Sequence, residues 1–363
     1  MQIACPTLVL HLLFLPNAVF ARQAEETVDG SDTLEQVIIT APMIQKSIMK
    51  LPTSYQRVPI NATINRAGNS PVPALNTIAG VYVQSGALNT NRITIRGVGS
   101  RNPFGTNRIK AYYAGIPLTG GDGETELDDI SAEIVSSVEV LKGGKSAFYG
   151  AGLGGVILLN PSNAVPTGGK LSVSTNFGSD GLRRFGVTAS IGSQKSQSFL
   201  NISDYKLEGW RGNSRYDRTS FLFTHEQKIG VHKVQVLVTG QRVDAEIPSS
   251  LNEIDFKNSP EVAAFTWNRV NGREDNDKLL VGISANLHYN SSWKQQIIVF
   301  GNYYSGKEFR PFNDLDDDSR RLGFRTLLEF EQNRLKLQVV SEAFLERYNA
   351  SLFQQGTDTL LSE

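Results

Sequence analysis

From Lys170 onward, polar and apolar residues alternate with a period of two. That period belongs to β-strands, because successive side chains of a strand point to opposite faces. Leu171, Val173, Thr175 and Phe177 fall on one face, and so do Arg183, Phe185, Val187, Ala189 and Ile191. Val234, Val236 and Val238 alternate with Lys233, Gln235 and Leu237. About nine strands are expected, near 171–177, 182–191, 198–207, 219–228, 231–241, 276–289, 293–304, 320–331 and 334–346. Their connections alternate in length. Ile229-Gly230, Asn290-Ser291-Ser292 and Gln332-Asn333 are tight, whereas Gly209–Arg218, Val243–Asp275 and Ser305–Ser319 are long. Short turns at one end and long loops at the other are the pattern of a transmembrane β-barrel; a soluble β-sandwich alternates less regularly.

Beyond the first twenty or so residues, no apolar run approaches the ~20 residues of a membrane helix, so insertion would use strands. The 36 basic and 36 acidic residues cancel, which leaves no basic footprint for nucleic acid. Leu8–Phe20 is apolar, and Val19 and Ala21 are small enough for signal-peptidase cleavage after Ala21, although residues 1–10 carry no Lys or Arg. Residues 1–21 are therefore read as a removed signal peptide. The one cysteine, Cys5, lies inside it, so the mature chain has no thiol.

Residues 22–50 read as a polar, flexible tail. Within it Thr33, Leu34, Glu35, Gln36, Val37, Ile38, Ile39, Thr40 and Ala41 form an isolated β-prone segment stopped by Pro42. Such a segment suits strand addition to a partner's sheet edge. The alternative is the first strand of the domain that follows. Residues 51–165 read as a small α+β domain with runs of about five residues: a helix at Pro73–Ile78, strands at Val81–Val83, Ile93–Ile95, Ile109–Tyr113 and Val138–Leu141, and a closing strand at Val156–Leu159.

Two stretches in this domain imitate nucleotide motifs. Gly150-Ala151-Gly152-Leu153-Gly154-Gly155 satisfies G-x-G-x-x-G by count, but a strand cut by Pro161 follows where a helix is required. Gly143-Gly144-Lys145-Ser146 ends like a phosphate loop, with Glu139 at the place of its first glycine. Sharp turns and close backbone approach account for these glycines.

The ordered segments RITIRGVGSR, AYYAGIPL and VEVLKGGKSAFYGAGLGGVILLNP, between Arg92 and Pro161, resemble the plug domain of TonB-dependent outer-membrane receptors. The resemblance covers about a hundred residues. It implies an α+β plug followed by transmembrane antiparallel β-barrel strands (166–363), about nine of the ~22 that such a plugged barrel contains. The rest would need roughly 300 more residues, and an open barrel would leave unsatisfied strand edges in lipid, so this polypeptide alone is not expected to transport. Residues 33–41 would be the TonB box, which pairs with TonB in the periplasm. The implied function is energised uptake of a ferric chelate, a siderophore or ferric citrate, across a bacterial outer membrane. The alternatives are a cobalamin receptor of the same family, a non-transporting surface-binding barrel, or an inactive remnant.

The resemblance also assigns residues. Arg96 and Gly97 match the family's strand-ending Arg-Gly. Glu139, Lys142 and Gly143 match its E-V-L-[RK]-G run, and Gly154 and Gly155 its closing glycines. Arg96 and Glu139 are expected to make charged contacts within the plug or with the barrel wall. The polar tips 100–107 and 119–126 would face the ligand, which makes Arg101, Asn102, Phe104, Asn107, Asp122 and Glu124 candidates; solvated turns are the other reading. In the loop after the third barrel strand, Trp210, Arg211, Arg215 and Tyr216 suit an anionic chelate or, for the aromatics, the membrane interface. Arg310 and Phe312 invite the same comparison more weakly. The acidic run Asn313–Asp318 lacks calcium-loop spacing and reads as a solvated or lipopolysaccharide-facing loop. No catalytic set, metal site or cofactor motif emerges, and the four histidines fall outside the visible plug tips and external loops.

Overall fold

The computed structural model describes residues 54–60, 70–87, 90–101, 108–118, 125, 127, 130–144, 146–150, 152–162 and 167–362. The leader and the 33–41 segment lie outside them.

The first domain is built on a five-stranded sheet of β1 (Ser54–Pro59), β4 (Ile109–Tyr113), β5 (Ile116–Pro117), β6 (Val135–Lys142) and β7 (Gly155–Pro161), in the order β1-β6-β7-β4-β5. β7 lies in the middle, antiparallel to β6 and parallel to β4. Its Val156-Ile157-Leu158-Leu159 run is buried throughout, as expected of a strand covered on both faces. β2 (Val81–Ala87) and β3 (Thr90–Ile95) pair only with each other, as a separate two-stranded sheet. A one-turn helix, Val72–Leu75, begins with prolines at its start and buries Val72, Ala74 and Leu75 against this hairpin's core.

The second part is one antiparallel sheet of ten strands in sequence order: β8 (Gly168–Phe177), β9 (Arg183–Gly192), β10 (Ser196–Leu207), β11 (Tyr216–Ile229), β12 (His232–Glu246), β13 (Arg273–His288), β14 (Trp293–Phe309), β15 (Asp314–Gln332), β16 (Leu335–Phe353) and β17 (Leu360–Ser362). β8 and β17 are its two ends, so the sheet is not closed. The links at one end are short. Gly230 takes φ 61° and Asn333 φ 55° in two of them, and Asn290 Oδ1 accepts from the amides of Ser292 and Trp293 at 2.9 Å each in a third.

The two faces differ chemically. One carries Leu171, Val173, Ile202, Phe221, Val281, Ile283, Leu322 and Phe324, all exposed. The register ties Leu171, Ala189, Leu200, Phe223, Val238, Val281, Gly301, Leu322 and Leu345 into one continuous row across nine strands. An apolar belt of this kind is the surface that a barrel turns to lipid. Among the described residues no helix is long and apolar enough to cross a membrane. The opposite face buries Phe199, Leu222, Leu237, Leu280, Ile298 and Phe300 in one core with the first domain.

The structure overturns the expected acidic loop. Asn313–Asp318 is not a loop, since β15 begins at Asp314 and the expected long link at 305–319 shrinks to residues 310–313. The aspartates are held by partners on the neighbouring strands. Lys307 pairs with Asp316 at 3.1 Å, the hydroxyls of Tyr304 and Tyr348 donate to Asp317, and Asn349 donates to Asp318. Opposite charges directly across a ladder favour pairing, so the ladder runs on through the charged segment. At 16 to 19 residues, β13–β16 far exceed the ~9–11 that a crossing requires.

Candidate functional site

The seam between the first domain and the large sheet is organised by Arg325, on β15. Its neighbours Phe324 and Thr326 point away, and its own side chain is fully buried. Across the ladder the residue opposite is Glu342 on β16, whose carboxylate lies 3.1 Å from Arg325 Nε. The guanidinium carbon sits 4.3 Å from the ring centre of Tyr112 and 4.9 Å from that of Tyr149. The two rings are themselves 5.2 Å apart, and the Tyr112 hydroxyl donates to the Tyr149 carbonyl at 3.1 Å. Arg325 also donates to the backbone carbonyls of Phe148 and, at 3.5 Å, Gly115. Burial pushes both tyrosine hydroxyls well above their ordinary pKa, so the rings stay neutral π-faces for the cation. Four residues earlier on β15, Arg321 donates from one guanidinium nitrogen, Nη2, to both carboxylate oxygens of Glu346 at 2.9 Å.

Two more contacts join the parts. Arg184 on β9 pairs with Glu133, in the turn before β6. Ile116 occupies the space over Gly282 on β13 that a Cβ there would need. Sequence reasoning missed all of these groups. Arg325 and Arg184 sit inside ordinary alternating strands, and only the register reveals what they face.

The plug residues singled out in the sequence lie on β6, at the start of β7 and just after β3. Glu139 is fully buried; Asn160 donates to it at 2.8 Å, and Arg57 Nε lies 3.9 Å away. Lys142 donates to the Ala79 carbonyl, and burial, with the Arg96 charge second, pushes its ammonium down. Arg96 is exposed, takes φ 51°, and its amide donates to the Gly80 carbonyl at 2.8 Å. Gly143 donates its amide to the Gly154 carbonyl at 2.9 Å. Gly97 and Gly155 both have positive φ, yet they differ. Nothing lies within 4 Å of a Cβ at Gly97 (φ 83°), whereas at Gly155 (φ 143°) a Cβ would strike the Leu141 carbonyl. Gly155→Ala is therefore expected to destabilise the domain by about 2–3 kcal/mol and Gly97→Ala by roughly 1. Equal midpoints in a urea titration would contradict this.

Of the ligand candidates, Asn102, Phe104, Asn107, Asp122 and Glu124 lie outside the described residues, and Arg101 is exposed in a turn. Trp210 is exposed. Arg211 is engaged within the protein: it donates to the carbonyls of Ser249 at 2.9 Å and Val262 at 3.0 Å, while Asn213 donates to those of Ile247 and Gly272. These bonds pin the 208–215 link to the 247–272 link. Arg215 is surrounded by Asp217, Asp244 and Glu246 at 3.3, 3.1 and 3.6 Å. Tyr216 is not a loop tip; it starts β11, is buried, and meets Tyr205 edge-on at 5.9 Å. Arg310 lies over Phe312 at 5.2 Å and pairs with Glu308 at 3.7 Å.

A small domain seated against the inner face of a strand wall, and gripped by that wall's arginines, has the geometry of a stopper. Residues 47–156 match the family model for the TonB-dependent receptor plug domain. The chain carries a TonB-dependent receptor plug. Among solved structures, the unliganded ferric citrate transporter FecA is similar with a TM-score of 0.71 at 15% identity, over 85% of this chain and 50% of that one. The ferripyoverdine receptor of the Pseudomonas aeruginosa outer membrane gives 0.70 at 13%, over 88% and 46%. The ferric yersiniabactin uptake receptor FyuA of Yersinia pestis gives 0.66 at 14%, over 83% and 50%. At these identities the likeness is one of fold: a plug followed by barrel strands. The chain spans about half the length of these structures.

Proposed function

We propose that the plug and wall belong to a receptor that imports a ferric chelate across a bacterial outer membrane, driven by TonB acting on residues 33–41. The observation that carries this reading is the plug held against the inner face of a wall whose outer face is apolar. A barrel sealed by a gripped domain would be a gated path, and an apolar outer belt suits such a path to a membrane. The likeness to receptors for ferric citrate, ferric yersiniabactin and ferripyoverdine favours an iron chelate, by fold-level analogy. In this reading chelate binds the plug tips and outer loops, the tail is presented to TonB, strand pairing transmits a pull, and the plug opens.

The test is uptake by iron-starved cells with and without the gene. Radiolabelled iron is supplied as citrate, hydroxamate and catecholate chelates, with copper as a parallel arm because a copper transporter is among the similar structures. At least an approximately tenfold loss for one iron chelate on deletion is expected. Unchanged uptake of every iron chelate would sink the reading, and a loss confined to copper would replace its substrate.

A further inference from the structure

We propose that Arg320 and Arg347 form a clamp, on the apolar face of the wall, for the phosphomonoester head group of an outer-leaflet lipid. The inference rests on the membrane reading above. The register places the two arginines directly opposite each other on β15 and β16. Both are exposed and lie on the face that carries Leu322 and Leu345. Their row is the next one beyond the apolar belt, toward the end of the sheet that holds the 208–215 and 247–272 links. From Val173 on β8, through Ile202, Phe221 and Leu279, to Tyr303 on β14, that row carries no charge. Only at its last two strands do cations appear.

Like charges directly across a ladder repel, and a guanidinium cannot lose its proton to relieve the repulsion. Among the described residues neither arginine pairs with a carboxylate. The Arg320 guanidinium lies 5.9 Å from the ring centre of Tyr303, and Arg347 Nε donates to Asn349 Oδ1 at 3.4 Å. The acidic groups beside them on these strands are engaged elsewhere. Glu346 faces the other way and accepts from Arg321. Asp318 accepts twice from the Asn349 amide, at 3.0 and 3.1 Å. One row further out the charges are matched across the ladder, with Arg242 on Asp277 at 2.7 and 3.0 Å. The Arg320–Arg347 pair therefore lacks the counter-ion that its neighbours have.

Depth and geometry name that counter-ion. The pair stands about 7 Å along the strands from Leu322 and Leu345, so its stems lie along apolar surface and its heads reach the polar boundary. Tyr303 sits at the same level, as an interfacial aromatic does. Long links mark the outer side of such a barrel, which makes this the boundary of the outer leaflet. Two guanidinium forks converge best on a group with several charged oxygens. A phosphomonoester accepts from both, whereas a carboxylate is filled by one.

The test uses protein expressed from its own locus, extracted from outer membranes in dodecyl maltoside and exchanged free of lipid. It is offered diphosphoryl lipid A, the same lipid enzymatically dephosphorylated, or phosphatidylglycerol, and retained lipid is counted by native mass spectrometry. The parent protein is expected to retain the diphosphoryl lipid at least about tenfold better than either other lipid, and the Arg320→Gln, Arg347→Gln double variant to lose that preference. Arg242→Gln, one row away, should keep it. Equal retention of phosphorylated and dephosphorylated lipid, or a preference unchanged in the double variant, overturns the site. Displacement by an equal concentration of inorganic phosphate makes the ligand a soluble anion and overturns the lipid assignment. Should the glutamine pair fail to assemble, Arg320→Lys with Arg347→Lys keeps both charges but loses the forks, so at least a roughly threefold drop is expected; no drop overturns the clamp. Absence of the parent protein from the outer-membrane fraction overturns the membrane reading with it.

Discussion

A Glu342→Gln variant is expected to lose about 3–5 kcal/mol of the hold between plug and wall. The glutamine fills the same volume but leaves the Arg325 charge without its counter-ion at a fully buried position. A guanidinium cannot shed its proton to escape, so the cost falls on the contact itself. The reverse substitution is milder. Arg325→Met forfeits two ring faces and the bonds to the Phe148 and Gly115 carbonyls, but it also recovers the desolvation of the cation. A net loss of about 1–3 kcal/mol follows. Glu342 then keeps a partial solvent exposure and the nearby Lys110 charge. The double variant should resemble Arg325→Met. Denaturant titration of the detergent-solubilised protein, followed by the near-ultraviolet signal of the plug tyrosines, gives the order. If Arg325→Met proves the more damaging of the two, the seam is held by packing and not by charge compensation.

Ile38→Pro should abolish energised uptake while leaving binding of chelate to chilled cells unchanged. Strand addition depends on main-chain hydrogen bonds, and proline both removes a donor and fixes φ. Ile38→Ala keeps the main chain and alters one side chain, so it should retain most uptake. The contrast separates a pairing segment from one that merely contributes an apolar contact. Full uptake by the proline variant would remove residues 33–41 from the mechanism.

The positions of the strands were legible in the sequence, and their ends were not. Leu171, Val173 and Phe177 alternate with polar residues because successive side chains of a strand point to opposite faces, and that pattern is local. The length of β14 and β15 is set by Lys307 meeting Asp316 and by Tyr304 meeting Asp317. These pairs are separated along the chain and become visible only once register is known. A charged segment therefore read as a loop. The small domain was legible through its glycine-bounded runs, with Gly155 placed where a side chain would strike Leu141. The outer-loop arginines looked available because sequence shows charge and not engagement. In the structure Arg211 is committed to carbonyls and Arg215 to three carboxylates. Arg325 gave no local signal at all. It follows an unremarkable RRLGF, and its role depends on Tyr112 and Tyr149, supplied from far upstream.

That separation has a consequence for the order of events during synthesis. Arg325 bonds to backbone groups 177 and 210 positions earlier in the chain. The plug sequence is thus complete long before Arg325 exists, and β15 must first pair with β14 to deliver the guanidinium. Contacts of such long range form late. During maturation the nascent plug passes through an interval in which Tyr112 and Tyr149 are made but their cation is not. That interval, more than the finished protein, is when a chaperone would find something to hold.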